Sequence, residues 1–260
     1  PVLEPRPYWN GEADKLRYQS VLFTEPADAR GTIFLNIWAY DQNQFPQLYG
    51  YLPAFKRVRS FPTNQRFEPL VAGAELYLSD AWAAGDPFLT WGNYQVVHRG
   101  PHLAAVSRGW TSTHPNWEHT THGGPKGNLF WDHAVELVPE VIVIEAEPVR
   151  YPRAPVGRKR VWFDARTLVP FQMVSYDRRG ELFRHFDASF AYYDDGKARV
   201  MDGKEPYWSW ATVHAFNVQT NRMTRIEQVR EVPGGHSMRV NDPSVYDKYL
   251  TTSAMQRLGN

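Results

Sequence analysis

The chain has 260 residues, 15% of them Phe, Trp or Tyr, with 18 Gly and 20 Pro, a mixture that suits strands and turns and excludes disorder. Its 29 Lys and Arg balance 28 Asp and Glu, so there is no net field to hold nucleic acid or an anionic membrane surface, leaving only local patches for such contacts. It has no cysteine, which excludes disulfides, thiolate nucleophiles and cysteine-ligated metals, and no apolar run approaches the roughly 20 residues of a membrane-spanning helix.

The first 14 residues, with Pro1, Pro5 and Pro7, cannot start a regular element and read as an arm. A first residue other than Met, with no apolar leader segment, reads as a processed mature chain. Runs of β-branched and aromatic residues at 17–25 and 31–40, separated by a turn at 26–30, predict an antiparallel hairpin. A third strand over 47–60 is expected to be an edge or to bend at Pro53, which cannot donate to a ladder. Residues 61–90 are rich in breakers, with one short helix predicted over 73–83. Residues 94–107 read as two short strands about Gly100-Pro101, and 109–127 as a long His- and Gly-rich insertion loop.

Residues 137–149 alternate as a strand. The segments 158–164, 169–176 and 181–192 follow as a meander, joined by turns at 165–167 and 177–180. A further pair, 207–219 and 222–232, turns at Thr220-Asn221, and Asp242 or Ser244 is placed to cap a helix over 245–258. No fixed-period repeat is visible. The expected fold is one domain over 1–260, mainly β (α+β): a curved antiparallel sheet or incomplete β-barrel of at least eight strands with a few helices.

Several constellations could carry chemistry. The insertion holds His114, His119 and His122, with Glu118, Asp132 and His133 close in sequence, and imidazoles plus a carboxylate suit zinc. The spacing H-x4-H-x2-H is not the helical H-E-x-x-H pattern, and Pro115, Gly123 and Gly124 oppose a helix, so no metal or cofactor is assigned. No G-x-S-x-G elbow is present, and no catalytic residue is assigned. Lys56, Arg57 and Arg59, and Arg158, Lys159 and Arg160, form two basic clusters that read first as solvated strand rims. A secondary reading of these clusters has them meet acidic lipid or a partner protein.

Aromatic side chains crowd both faces of the later strands. Trp208, Trp210, Thr212, His214 and Phe216 alternate onto one face, while Leu182, Phe186, Ala188 and Phe190 share another with Arg184. Two readings stay open: an ordinary core, or the concave face of a curved sheet that holds an apolar ligand. On the second, Trp162, Phe171, Met173, Phe186, Trp208 and Trp210 are the ligand-lining candidates, drawn from four sequential strands.

The segments YLPAFKRVR (51–59), RVWFDARTLVPFQMVSYDRRGELFRHF (160–186) and VHAFNVQTNRMTRIE (213–227) give the chain its resemblance to a known family. It resembles the bacterial domain-of-unknown-function family labelled outer-membrane lipoprotein-sorting protein. The resemblance implies a fold similar to the periplasmic lipoprotein carriers, an incomplete antiparallel barrel wrapping over helices around an apolar cavity. It further implies a non-enzymatic periplasmic protein that binds or transfers a lipid-like or hydrophobic molecule, with an envelope transport system as partner. The alternatives are a metal-dependent enzyme using the His114–His133 region and a sugar-binding β domain using exposed Trp.

Overall fold

The structure, a computed structural model, describes residues 14–69, 71–80, 89–107, 135–193, 207–227, 233 and 242–259. The arm at 1–13, the insertion at 109–127 with its three histidines, Glu118, Asp132 and His133 lie outside the described residues. The chain packs as two compact units, Pro1–Gln65 with Val229–Asn260, and Arg66–Gln228.

In the first unit β1 (Lys15–Leu22), β2 (Ile33–Ala39), β3 (Gln47–Leu52) and β4 (Arg57–Phe61) form an antiparallel meander in sequential order. The predicted third strand is split in two. Pro53 opens a 3-10 turn over Pro53–Phe55, and Lys56 ends it in the left-handed region at φ 48°, so the chain reverses where Pro removes a ladder donor. Two short helices, α1 (Ser244–Tyr249) and α2 (Thr252–Gly259), replace the single one expected. The Asp242 carboxylate accepts the Ser244 N–H at 2.9 Å, and the Thr251 hydroxyl accepts the Ala254 N–H at 3.0 Å, so the sequence carries two start signals rather than one. Helix α2 buries Ala254 and Met255, and Met255 packs against Ile33, Leu35 and Tyr51.

The second unit is built from β5 (Trp91–Ser107), β6 (Val135–Pro148), β7 (Val156–Asp164), β8 (Pro170–Asp177), β9 (Leu182–Tyr193), β10 (Tyr207–Asn217) and β11 (Arg222–Glu227). The two strands expected over 94–107 are one. β5 runs through Gly100-Pro101 by shifting register between Gly100 and His102, a bulge that absorbs the missing proline N–H. Asp177 organises the β8–β9 turn by accepting the backbone N–H groups of Arg179 and Glu181, each at 2.9 Å.

Pairing shows how this sheet curves. β10 occupies one edge of β9 from Arg184 to Tyr193. The other edge is shared in tandem, by β8 opposite residues 182–187 and by β5, in parallel, opposite Phe190 and Ala191. The antiparallel run β5-β6-β7-β8 therefore curls until both of its ends dock on one edge of β9. With only two residue pairs at the β5 end, the roll stays open, as a curved sheet rather than a closed barrel. The expected fold class is the one observed, with eleven strands among the described residues.

The segment 66–80 straps the outer face of this sheet. The helix expected over 73–83 is absent from its described part, which consists of turns and a bridge between Pro69 and Tyr77. Gly73 sits at φ 81°, and the Asp80 carboxylate takes the Tyr77 N–H at 2.9 Å, so local side-chain bonding outcompetes the helical ladder.

Candidate functional site

Residues opposite one another on paired strands share a face. Following the register gives two adjacent rows across the seven strands. One reads His98, Val143, Trp162, Gln172, Asp187, His214, Arg225, and the other Val96, Ile144, Val161, Met173, Phe186, Ala215, Thr224. From β6 to β11 the two rows differ by one residue in each strand and so lie on opposite faces, while in β5 a register shift between Val96 and His98 makes the step two residues.

The first row lies inside the roll. Ala104 of β5, Val138, Val141 and Val143 of β6, and Phe171 of β8 form one buried cluster, with partly buried Trp162 of β7 against it. Four strands converge on one cluster only if the sheet curls toward that face. His102 of β5 confirms the curl, since β5 and β8 are not paired with each other. Its Nε2 lies 3.0 Å from the Gln172 side-chain oxygen of β8, and its ring stacks on Phe171 at 5.6 Å and lies 6.2 Å from Trp162. Phe171 reaches this side because the β7–β8 register shifts there, Trp162 facing Gln172 while Phe163 faces Pro170.

Beyond this apolar floor the same face turns polar. His185 Nδ1 stands 3.2 Å from Asp187 Oδ2, and its ring lies 5.7 Å from that of Phe216. The Asp187 hydrogen bond raises the His185 pKa above its ordinary 6.5, outweighing burial. A raised folded-state value means that the pair stabilises the fold fully below about pH 6.5 and loses this contribution as pH rises through the shifted value. The NMR titration midpoint of His185 should lie above 6.5 and fall back in Asp187→Asn. A wild-type midpoint at or below 6.5 would dissolve the pair.

At the far end of the face Arg158 lies 4.3 Å over the Tyr176 ring, and Arg160 donates to Glu145 at 2.7 Å. Part of the second basic cluster is thus tied down locally. Among the described residues no three His, Asp or Glu side chains gather closely enough to hold a metal ion.

The middle of the second row is core, whereas Val96 at its β5 end is exposed. Val161, Met173, Phe186 and Ala215 pack together with Leu76 of the strap. Buried Arg184 anchors the strap: it pairs with Asp80 at 2.8 Å, donates to the Glu75 carbonyl at 2.9 Å and covers the Tyr77 ring at 3.7 Å. Asn217 donates to the Glu75 carboxylate at 2.9 Å.

The six candidate ligand-lining residues therefore divide. Trp162 and Phe171 meet inside the roll, whereas Met173 and Phe186 meet on the opposite face beneath the strap. The side chains of Trp208 and Trp210 lie outside the described part. The register shifts between Trp210 and Thr212, so the alternation of Thr212, His214 and Phe216 does not carry through to the two tryptophans, contrary to the uninterrupted alternation expected. His102, Gln172 and Asp187 were not singled out from sequence. Their one signal is His185-x-Asp187 alternating against Phe186, a pattern that any half-polar strand shows.

This architecture defines a protein of the rolled, open antiparallel-sheet class. The chain belongs to the family described as Protein of unknown function (DUF1329), which matches residues 2–256, in line with the resemblance carried by the three segments above. Among solved structures it is similar to a domain from Vibrio parahaemolyticus provisionally described as an outer membrane lipoprotein-sorting protein domain. That match has a TM-score of 0.55 and 18% identity and covers 95% of this chain and 80% of the other. A DUF1329 family protein from Desulfovibrio piger aligns with a TM-score of 0.53 and 18% identity over 92% and 76% of the two chains. A LolA superfamily protein from Nitrosomonas europaea aligns more loosely, with a TM-score of 0.38 and 12% identity over 83% and 74%. No curated protein matches the chain. The first two likenesses are likenesses of fold.

Proposed function

We propose that this protein is a non-enzymatic binding or transfer protein of the bacterial periplasm, and that it holds a lipid-like or otherwise hydrophobic molecule against the inner face of the β5–β8 roll. The observation that carries the reading is the meeting of Trp162, Phe171 and His102 from three strands over a floor of valines and Ala104. Apolar surface removed from water contributes about 25 cal/mol per Å², so such a floor can retain a ligand without a charged anchor. His102, Gln172, His185 and Asp187 supply hydrogen-bonding groups at its border, which suits a ligand with one polar end. The provisional lipoprotein-sorting description of the Vibrio parahaemolyticus domain supports the same reading, and an envelope transport system is the partner it suggests. Among the described residues no helix is long and apolar enough to cross a membrane.

An apolar fluorescent probe such as N-phenyl-1-naphthylamine should bind the wild-type protein, and Trp162→Ala should weaken that binding by about tenfold or more, because it removes a large contact surface. Native mass spectrometry of protein released from the producing cell should show a co-purifying lipid-sized species. Absence of both probe binding and any bound species would overturn the reading.

A further inference from the structure

A second surface lies in the first unit, at the turn between β3 and β4. Phe55 is 54% exposed at the tip of the 3-10 turn, and Lys56, Arg57 and Arg59, which follow it, are all exposed. Val58 packs into the core with Met255, so alternation along β4 turns Arg57 and Arg59 to the opposite face. Among the described residues no carboxylate pairs with any of the three cations. Among those residues Arg59 meets Phe55, its guanidinium lying 4.9 Å over the ring. The neighbouring loop brings Gly31 against Pro53 and adds exposed Arg30, Glu25 and Asp28. The tip therefore carries four cations against two carboxylates in a chain whose overall net charge is only +1. β4 is an edge strand of the sheet among the described residues.

A large apolar side chain at a tip, ringed by cations that no described carboxylate neutralises, is unfavourable in water and matches one kind of surface well. An anionic lipid headgroup layer neutralises the cations while the aromatic ring enters the interface. We infer that the Phe55–Arg59 tip docks the protein on anionic lipid membranes. Edge protection alone accounts for the cations, but not for an exposed Phe held under one of them.

The test is co-sedimentation of the full chain with vesicles of phosphatidylcholine alone and with phosphatidylglycerol added. Each cation near an anionic surface contributes about fivefold, the equivalent of about 1 kcal/mol. Binding to anionic vesicles should fall at least about tenfold in Arg57→Glu/Arg59→Glu, should fall in Phe55→Ser, and should weaken with added salt. Both variants should keep the wild-type melting temperature, since the substituted groups are exposed. Trp162→Ala, which tests the roll, should sediment like the wild type, so failure here and failure of the ligand-binding reading are separable. Equal binding to neutral and anionic vesicles, no vesicle binding, or binding unchanged in both tip variants would overturn the inference. The last of these would move the contact elsewhere.

Discussion

Arg184→Met should destabilise the protein by about 3–5 kcal/mol, measured by urea denaturation, because it leaves the Asp80 carboxylate buried without its counter-charge. The side chains of Arg184 and Asp80 are 0% and 3% exposed, so water cannot replace the lost partner. The pair is close without being an aligned hydrogen bond. Its value therefore lies in mutual charge compensation and in the stacked position of the guanidinium over Tyr77. Loss of Arg184 also frees the Glu75 carbonyl and loosens the 66–80 strap, so proteases should cut within that segment. Adding Asp80→Asn to Arg184→Met should recover part of the stability, since the orphaned charge is gone. A loss of less than about 1 kcal/mol in the single variant would mean that the strap is held by its apolar contacts alone.

Phe186→Ala is the second large effect, about 3–5 kcal/mol of stability through the cavity it leaves among Val161, Met173, Ala215 and Leu76. Probe affinity should remain within about twofold of wild type, because Phe186 lies on the face away from the roll. Trp162→Ala should show the reverse pattern, with a small stability loss and a large loss of probe binding. The two variants are thus a matched pair across one sheet. If Phe186→Ala abolished probe binding while leaving the urea midpoint unchanged, the assignment of inner and outer faces would be wrong.

The division of the six aromatic and sulfur-containing candidates shows where strand alternation stops being informative. Trp162 and Met173 sit on adjacent strands, both bulky and apolar, and nothing in their residue types separates a ligand floor from a core. The separation comes from register: Val161, not Trp162, faces Met173. One-residue bulges at Phe171 and between Trp210 and Thr212 then reverse the parity on either side of them. Such shifts arise from how a curled sheet accommodates strain, and they leave little trace in composition. Arg184 illustrates the same limit from the other side. In sequence it interrupts an apolar face, but the structure supplies Asp80, Glu75 and Tyr77 from a segment about a hundred residues earlier.

The amino-acid sequence by itself determined the mainly antiparallel strand content, most of the strand positions, the hairpin and meander turns and the family resemblance. These rest on local alternation, on Gly, Asp and Pro at turns, and on aromatic runs, all of which act within a few residues. Pro53 and Thr251 carried the signals that split a strand and a helix, and their consequences became visible only in place. Tertiary structure alone decided that β5 and β8 share one edge of β9, which face lies inside the roll, and that the 66–80 segment is a strap rather than a helix. Those outcomes depend on pairings between residues many tens of positions apart, where curvature, register and buried charge are settled by packing rather than by neighbours in the chain.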